Sequence, residues 1–196
     1  MGGSSDCAGH CPCDGRRMLI SAGTFCRKLF TLALLVMAPL ALAQRLAPEP
    51  ELKAAILVNM FLFVDWPAQG GQAPDRLTVC YLDGGPVATA LEQLGGKLIK
   101  GKPLQVLRVD SATMGGCHAL YVSSVDAVSL PRVVANGRAS GILLVGDTPG
   151  YLQRGVMLNL EIDGGRVVFD IDLRSMRQAG LAVSSKVLRL ARQVLE

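Results

Sequence analysis

The chain has 196 residues, 50% of them hydrophobic, with 20 Lys+Arg against 16 Asp+Glu and a net charge of +4. So much apolar material supplies the core of one ordinary domain and excludes general disorder. Setting aside residues 1–43 removes Arg16, Arg17, Arg27, Lys28, Asp6 and Asp14 and leaves +2, a balance that argues against nucleic-acid binding, which calls for a marked basic excess.

Those first residues read as a targeting segment. In "FCRKLFTLALLVMAPLALAQR", Arg27 and Lys28 precede an apolar run from Leu29 to Leu42, and small residues at Ala41 and Ala43 stand before Gln44. This is the pattern of a secretory signal peptide cleaved after Ala43, which predicts a mature domain over 44–196, soluble in the periplasm. Residues 1–17 lengthen the leader beyond need, so Met18 is an alternative start; Arg16 and Arg17 offer a weak twin-arginine reading. Export also removes Cys7, Cys11, Cys13 and Cys26, leaving Cys80 and Cys117. An even pair in a compartment that permits disulfides is expected to be bridged, with two separate buried thiols as the alternative.

After a short Pro-containing lead-in over Gln44 to Glu51 comes "LKAAILVNMFLFVDWP". No charge falls between Lys53 and Asp65, a run well short of the ~20 residues that cross a bilayer. Helix is predicted from Leu52 to Trp66, ended by Pro67. Its apolar residues lie on more than one side, so part of the helix is available for a dimer or partner surface as well as for the core. After the loop "AQGGQAPD", four short apolar runs, "LTVCYL" (77–82), "LQVLRV" (104–109), "HALYVS" (118–123) and "GILLVG" (141–146), have the look of strands buried on both faces. Helix-like "PVATALEQLGG" and "SLPRVVANG" lie between them. The alternation predicts a three-layer α/β domain with a mainly parallel, Rossmann-like sheet. "VMLNLEI" and "RVVFDID", joined by Asp163-Gly164-Gly165, predict an antiparallel hairpin at the sheet edge. A short helix from Leu173 to Gln178 closed by Gly180 follows, and then a C-terminal amphipathic helix from about Ser184 with Val187, Leu188, Leu190, Ala191, Val194 and Leu195 on one face.

Little catalytic chemistry can be assembled from this. One histidine, His118, follows the leader, so a His-rich metal site is impossible, and a bridged cysteine pair leaves no thiolate for zinc. Cys117 and His118 are adjacent and in a strand would face opposite ways, which disfavours a thiol nucleophile with its base. "LDGGPVAT" lacks both the dinucleotide and the P-loop spacing and reads as a turn. Ser184, Ser185 and Lys186 suggest a Ser–Lys pair, but Ser184 serves more simply as a helix N-cap. No catalytic residue, metal or cofactor is expected.

The order of these segments resembles the YfiR-like family of periplasmic regulators. The residues that carry the resemblance are "KAAILVNMFLFVDWP", "LTVCYL", "GKPLQVLRV", "CHALYVS", "GILLVGDTPGYLQRGVMLNL", "RVVFDIDL" and "AGLAVSSKVLRLA", spread over residues 51–196. The resemblance implies a non-catalytic repressor that binds the periplasmic part of a YfiN-like inner-membrane diguanylate cyclase, is sequestered by a YfiB-like outer-membrane lipoprotein, and forms a homodimer. It implies control of cyclic di-GMP, and hence of biofilm formation, by envelope or redox stress. By position, Cys80 and Cys117 match family cysteines at the first and third strands; a second pair that some relatives carry near 146–157 is absent here. Candidate partner-surface residues are Phe61, Phe63, Trp66, Ser184, Ser185 and Lys186, with Trp66 the expected anchor. A small-molecule module using a cleft between Trp66 and the Ser184-Ser185 turn is the competing reading.

Overall fold

A computed structural model describes residues 47–67 and 75–196, and residues 47–196 form one compact unit. The expected signal peptide lies outside the described residues. In chain order the elements are α1 (Glu49–Met60), β1 (Val64–Asp65), β2 (Leu77–Tyr81), α2 (Pro86–Gln93), β3 (Leu98–Ile99), β4 (Lys102–Arg108), β5 (Ala119–Val122), α3 (Leu130–Ala139), β6 (Leu143–Gly146), β7 (Leu158–Asp163), β8 (Arg166–Asp172), α4 (Leu173–Gln178), β9 (Ala182–Val183), α5 (Ser185–Leu188) and β10 (Gln193–Leu195).

The predicted α/β architecture is present. The main sheet has eight strands in the order β10-β8-β7-β6-β5-β2-β4-β3, parallel except at β7–β8 and β3–β4. β2, β5 and β6 are buried at every position, which is why their sequences are almost continuously apolar. From β2 the chain steps to β4 on one side and later to β5 and β6 on the other. Right-handed crossovers stepping in opposite directions place α2 and α3 on opposite faces, and the contacts follow: α1 packs on α2, and α4 on α3. The β7–β8 turn uses Gly164 and Gly165 at φ 54° and 76°, the left-handed conformation that the sequence demands there.

Three expectations are corrected. The first helix ends at Met60, not Trp66: the N–H groups of Phe61, Leu62 and Phe63 each bond back three residues, tightening the final turn. Val64 and Asp65 are then extended and pair antiparallel with Val183 and Ala182 in a two-stranded ribbon separate from the main sheet. β-branched Val64, and Pro67 acting on the residue before it, favour that extended chain. Secondly, the C-terminal amphipathic helix is a single turn, after which β10 runs parallel to β8. Arg192 explains the change, because its backbone N–H donates to Phe169 O while its guanidinium binds Asp170 and, at 2.6 Å, Glu161. Those bonds hold the segment against the sheet. As a result the β7–β8 hairpin is interior, with β10 outside it.

Cys80 in β2 and Cys117, in the turn leading into β5, form a disulfide with Cα atoms 5.8 Å apart. Both are buried within the core.

Candidate functional site

The sequence-predicted surface residues gather near the ribbon but do not share one role. Phe61 is a correction: at 0% exposure it belongs to the core and presents no surface. Its burial follows from the tight turn after α1, which folds it beneath Trp66, with ring centroids 4.9 Å apart in an edge-on arrangement. Trp66 is half-buried, and its indole Nε1–H donates to the carbonyl of His118 at 2.8 Å. Phe63 is half-buried, and its backbone carbonyl accepts from the Ser184 N–H at 2.9 Å. Ser184 is the N-cap of α5, accepting from Lys186 N at 3.3 Å, while Ser185 and Lys186 are exposed. The ribbon therefore unites Phe63, Trp66 and the Ser184 turn, although they are more than a hundred positions apart in sequence.

Two concavities lie at the opposite end, along the carboxyl edge of the parallel strands. The strand order reverses between β2 and β5, and in open α/β sheets the crevice beyond such a reversal is where ligands enter. A cavity of about 370 Å³ lies there, bounded by Lys53, Gly84, Gly85, Tyr121, Ser124 and Asp147. Lys53, almost fully buried, brings its ammonium to 2.7 Å from Glu49 and 3.2 Å from Asp147. Burial alone lowers the lysine pKa, but Glu49 and Asp147 more than offset it, and the net shift is upward. Lys53 is thus a charged group inside the fold. Burial also raises the Tyr121 pKa, and the neighbouring Asp147 carboxylate reinforces this, so the phenol stays protonated. The backbone of Gly84 and Gly85 completes the wall where α2 begins.

A second hollow of about 520 Å³ spans the ends of β2 and β4. Asp83, Arg108, Asp110 and Asp126 line it, and Arg108 pairs with Asp83 at 3.1 Å. Asp126 is buried, which raises its carboxyl pKa against the opposing hydrogen bonds from the Ser123 hydroxyl and backbone. Sequence reasoning passed over Lys53, Tyr121 and Asp147. The available signal was Lys53 itself, four residues after Glu49 and at the border of the uncharged run that fills the rest of the helix.

The family described as YfiR/HmsC-like matches residues 50–192, which take in the elements from α1 to α5. The chain belongs to the YfiR/HmsC-like family. Solved structures agree in fold. A conserved domain protein from Vibrio cholerae O1 biovar El Tor aligns with TM-score 0.52 at 14% identity, covering 74% of this chain and 60% of that one. A Streptococcus pneumonia protein described as an ABC domain in complex with L-Trp aligns with TM-score 0.52 at 14% identity, covering 73% of this chain and 60% of that one. Family membership rests on the 50–192 match, and these two similarities extend it to the three-layer architecture alone. Among the described residues, no helix of the family domain is long and apolar enough to cross a membrane.

Proposed function

We propose that this chain is a periplasmic negative regulator that binds and inhibits the periplasmic part of an inner-membrane diguanylate cyclase, YfiN-like, without catalysis of its own. The observation that carries the reading is the family match over residues 50–192. The Cys80–Cys117 bridge supports it, because a disulfide in the core suits an oxidising compartment and offers a route for redox stress to act. A YfiB-like outer-membrane lipoprotein and a second copy of the chain are further partners under this reading. The test is to express the full chain with the GGDEF-containing membrane protein encoded nearest its gene. Co-purification from detergent extracts, with cyclic di-GMP rising when the chain is deleted and falling on its return, is the expected result. Failure to co-purify together with unchanged cyclic di-GMP would overturn it.

A second reading is favoured by the carboxyl-edge cleft: a small-molecule module whose ligand contacts Lys53, Asp147 and the Gly84-Gly85 wall. A cavity of this size falls within the range of small-ligand pockets. A thermal-shift screen of amino acids, including L-Trp, with nucleotides and sugars is expected to yield a stabilising compound whose effect disappears in Lys53→Met. A screen without a stabilising compound, or a shift retained by that variant, counts against the cleft.

A further inference from the structure

His118 occupies an unusual position at the amino-terminal edge of the sheet. Its backbone N–H donates to Thr78 O at 2.9 Å, and the Thr78 N–H in turn donates to its imidazole Nδ1 at 3.1 Å. Its carbonyl accepts twice, from Leu143 N of β6 at 3.0 Å and from the Trp66 indole at 2.8 Å. The imidazole also stands edge-on to Trp66, with centroids 5.7 Å apart and planes at 81°. One residue therefore joins the entry to β2, the start of β6 and the end of the ribbon strand β1.

The hydrogen bond from Thr78 fixes the tautomer. A nitrogen that accepts an N–H carries a lone pair, so the neutral ring holds its proton on Nε2. Adding a proton places a second N–H on Nδ1, head-on to that of Thr78. The pair cannot persist, the imidazolium must turn away, and the buried Thr78 amide loses its partner.

We propose that His118 is a proton-operated latch, which holds Trp66 and the β1–β9 ribbon in place when neutral and releases them when protonated. The charged surroundings fit that role. Burial lowers the imidazole pKa, and Lys102, facing it from β4, lowers it further. The groups presented by the other neighbouring elements are uncharged: the Thr78 backbone from β2, the Leu143 backbone from β6, the indole of Trp66, and Cys117, which is bridged and does not titrate. The sign follows. A histidine pKa below its unfolded value of about 6.5 contributes stability that is complete above that pH and is lost as pH falls towards the folded value. Acid therefore opens the latch. His118 is half-buried, so water can deliver the proton. This inference does not depend on which partner the ribbon meets.

Trp66 is the only tryptophan in the full chain, and its emission reports the latch directly. Between about pH 7.5 and 4.5, quenching with a red shift is expected, with a single midpoint below ~6.5. His118→Asn keeps an acceptor near the position of Nδ1 and cannot titrate, so it should lose the transition. No transition in the parent chain, or the same transition in His118→Asn, would overturn the proposal. A second measurement uses the parent chain alone and is independent of how the variant folds: amide exchange by NMR alongside the imidazole proton shift. On protonation Thr78 should exchange roughly tenfold faster relative to Val79. A constant ratio through the imidazole midpoint would also overturn it.

Discussion

Cys80→Ser, Cys117→Ser and the double variant are expected to lose the same stability, because each removes one and the same crosslink. The bridge spans a sequence separation of 37, and loop-closure arithmetic assigns a loop of that size ~4 kcal/mol. For a domain of this length each kcal/mol corresponds to about 2–4 °C, so the melting temperature should fall by roughly 8–16 °C. Against a total stability of ~5–15 kcal/mol that is a large fraction. The bond ties β2 to the turn before β5, where the strand order reverses, so its loss should loosen the middle of the sheet rather than an edge. Urea unfolding of the three variants, with and without reductant, is the check. Reductant should destabilise the parent chain to the level of the double variant and leave the variants unchanged. Single variants that differ from the double by more than about 1 kcal/mol would mean that each cysteine acts by packing instead.

Phe61→Ala should cost ~3–5 kcal/mol, the range for emptying a buried aromatic site. Phe61 is wholly enclosed and supports Trp66 edge-on, so its removal opens a cavity under the ribbon as well as in the core. Trp66 emission should shift to the red in the folded variant, as water reaches the indole. Phe61→Leu keeps most of the volume and is expected to lose less than half as much. Chemical denaturation followed by far-UV circular dichroism measures both. A loss below about 1 kcal/mol for Phe61→Ala would remove Phe61 from the core and restore it as a surface residue.

Much of the architecture is legible in the chain because the buried parallel strands carry so consistent a signal. "LTVCYL", "HALYVS" and "GILLVG" are apolar at nearly every position, and only a strand covered on both faces explains runs so short. The β7–β8 hairpin is marked by a Gly-Gly turn that needs positive φ. By contrast, β1, β9 and β10 have two or three residues each, and tertiary partners decide their state. "VLRLARQVLE" has helical spacing, yet Asp170 and Glu161 on the neighbouring strands capture Arg192 and draw the segment into the sheet. Local periodicity contains no trace of carboxylates more than twenty positions upstream. The same limit hid the carboxyl-edge cleft, since Lys53 and Asp147 lie 94 positions apart and meet only once α1 is folded against the sheet. Trp66 stood out as an anchor by residue type, but its indole N–H is committed to His118 within the fold.

β10 and β3 also bear on how this sheet behaves among other chains at high concentration. An open sheet exposes a row of unpaired amides and carbonyls at each margin, and a long flat margin invites another chain to add on. Here one margin is closed by the three residues of β10 and the other by the two of β3. Neither is long enough to template a stable extra strand. The longer strands behind them, β8 and β4, bear charge at their uncovered ends, with Arg166 on one and Arg108 on the other. The two short strands thus act as guards against edge-to-edge growth, so that self-association must use side-chain surfaces and can be selective.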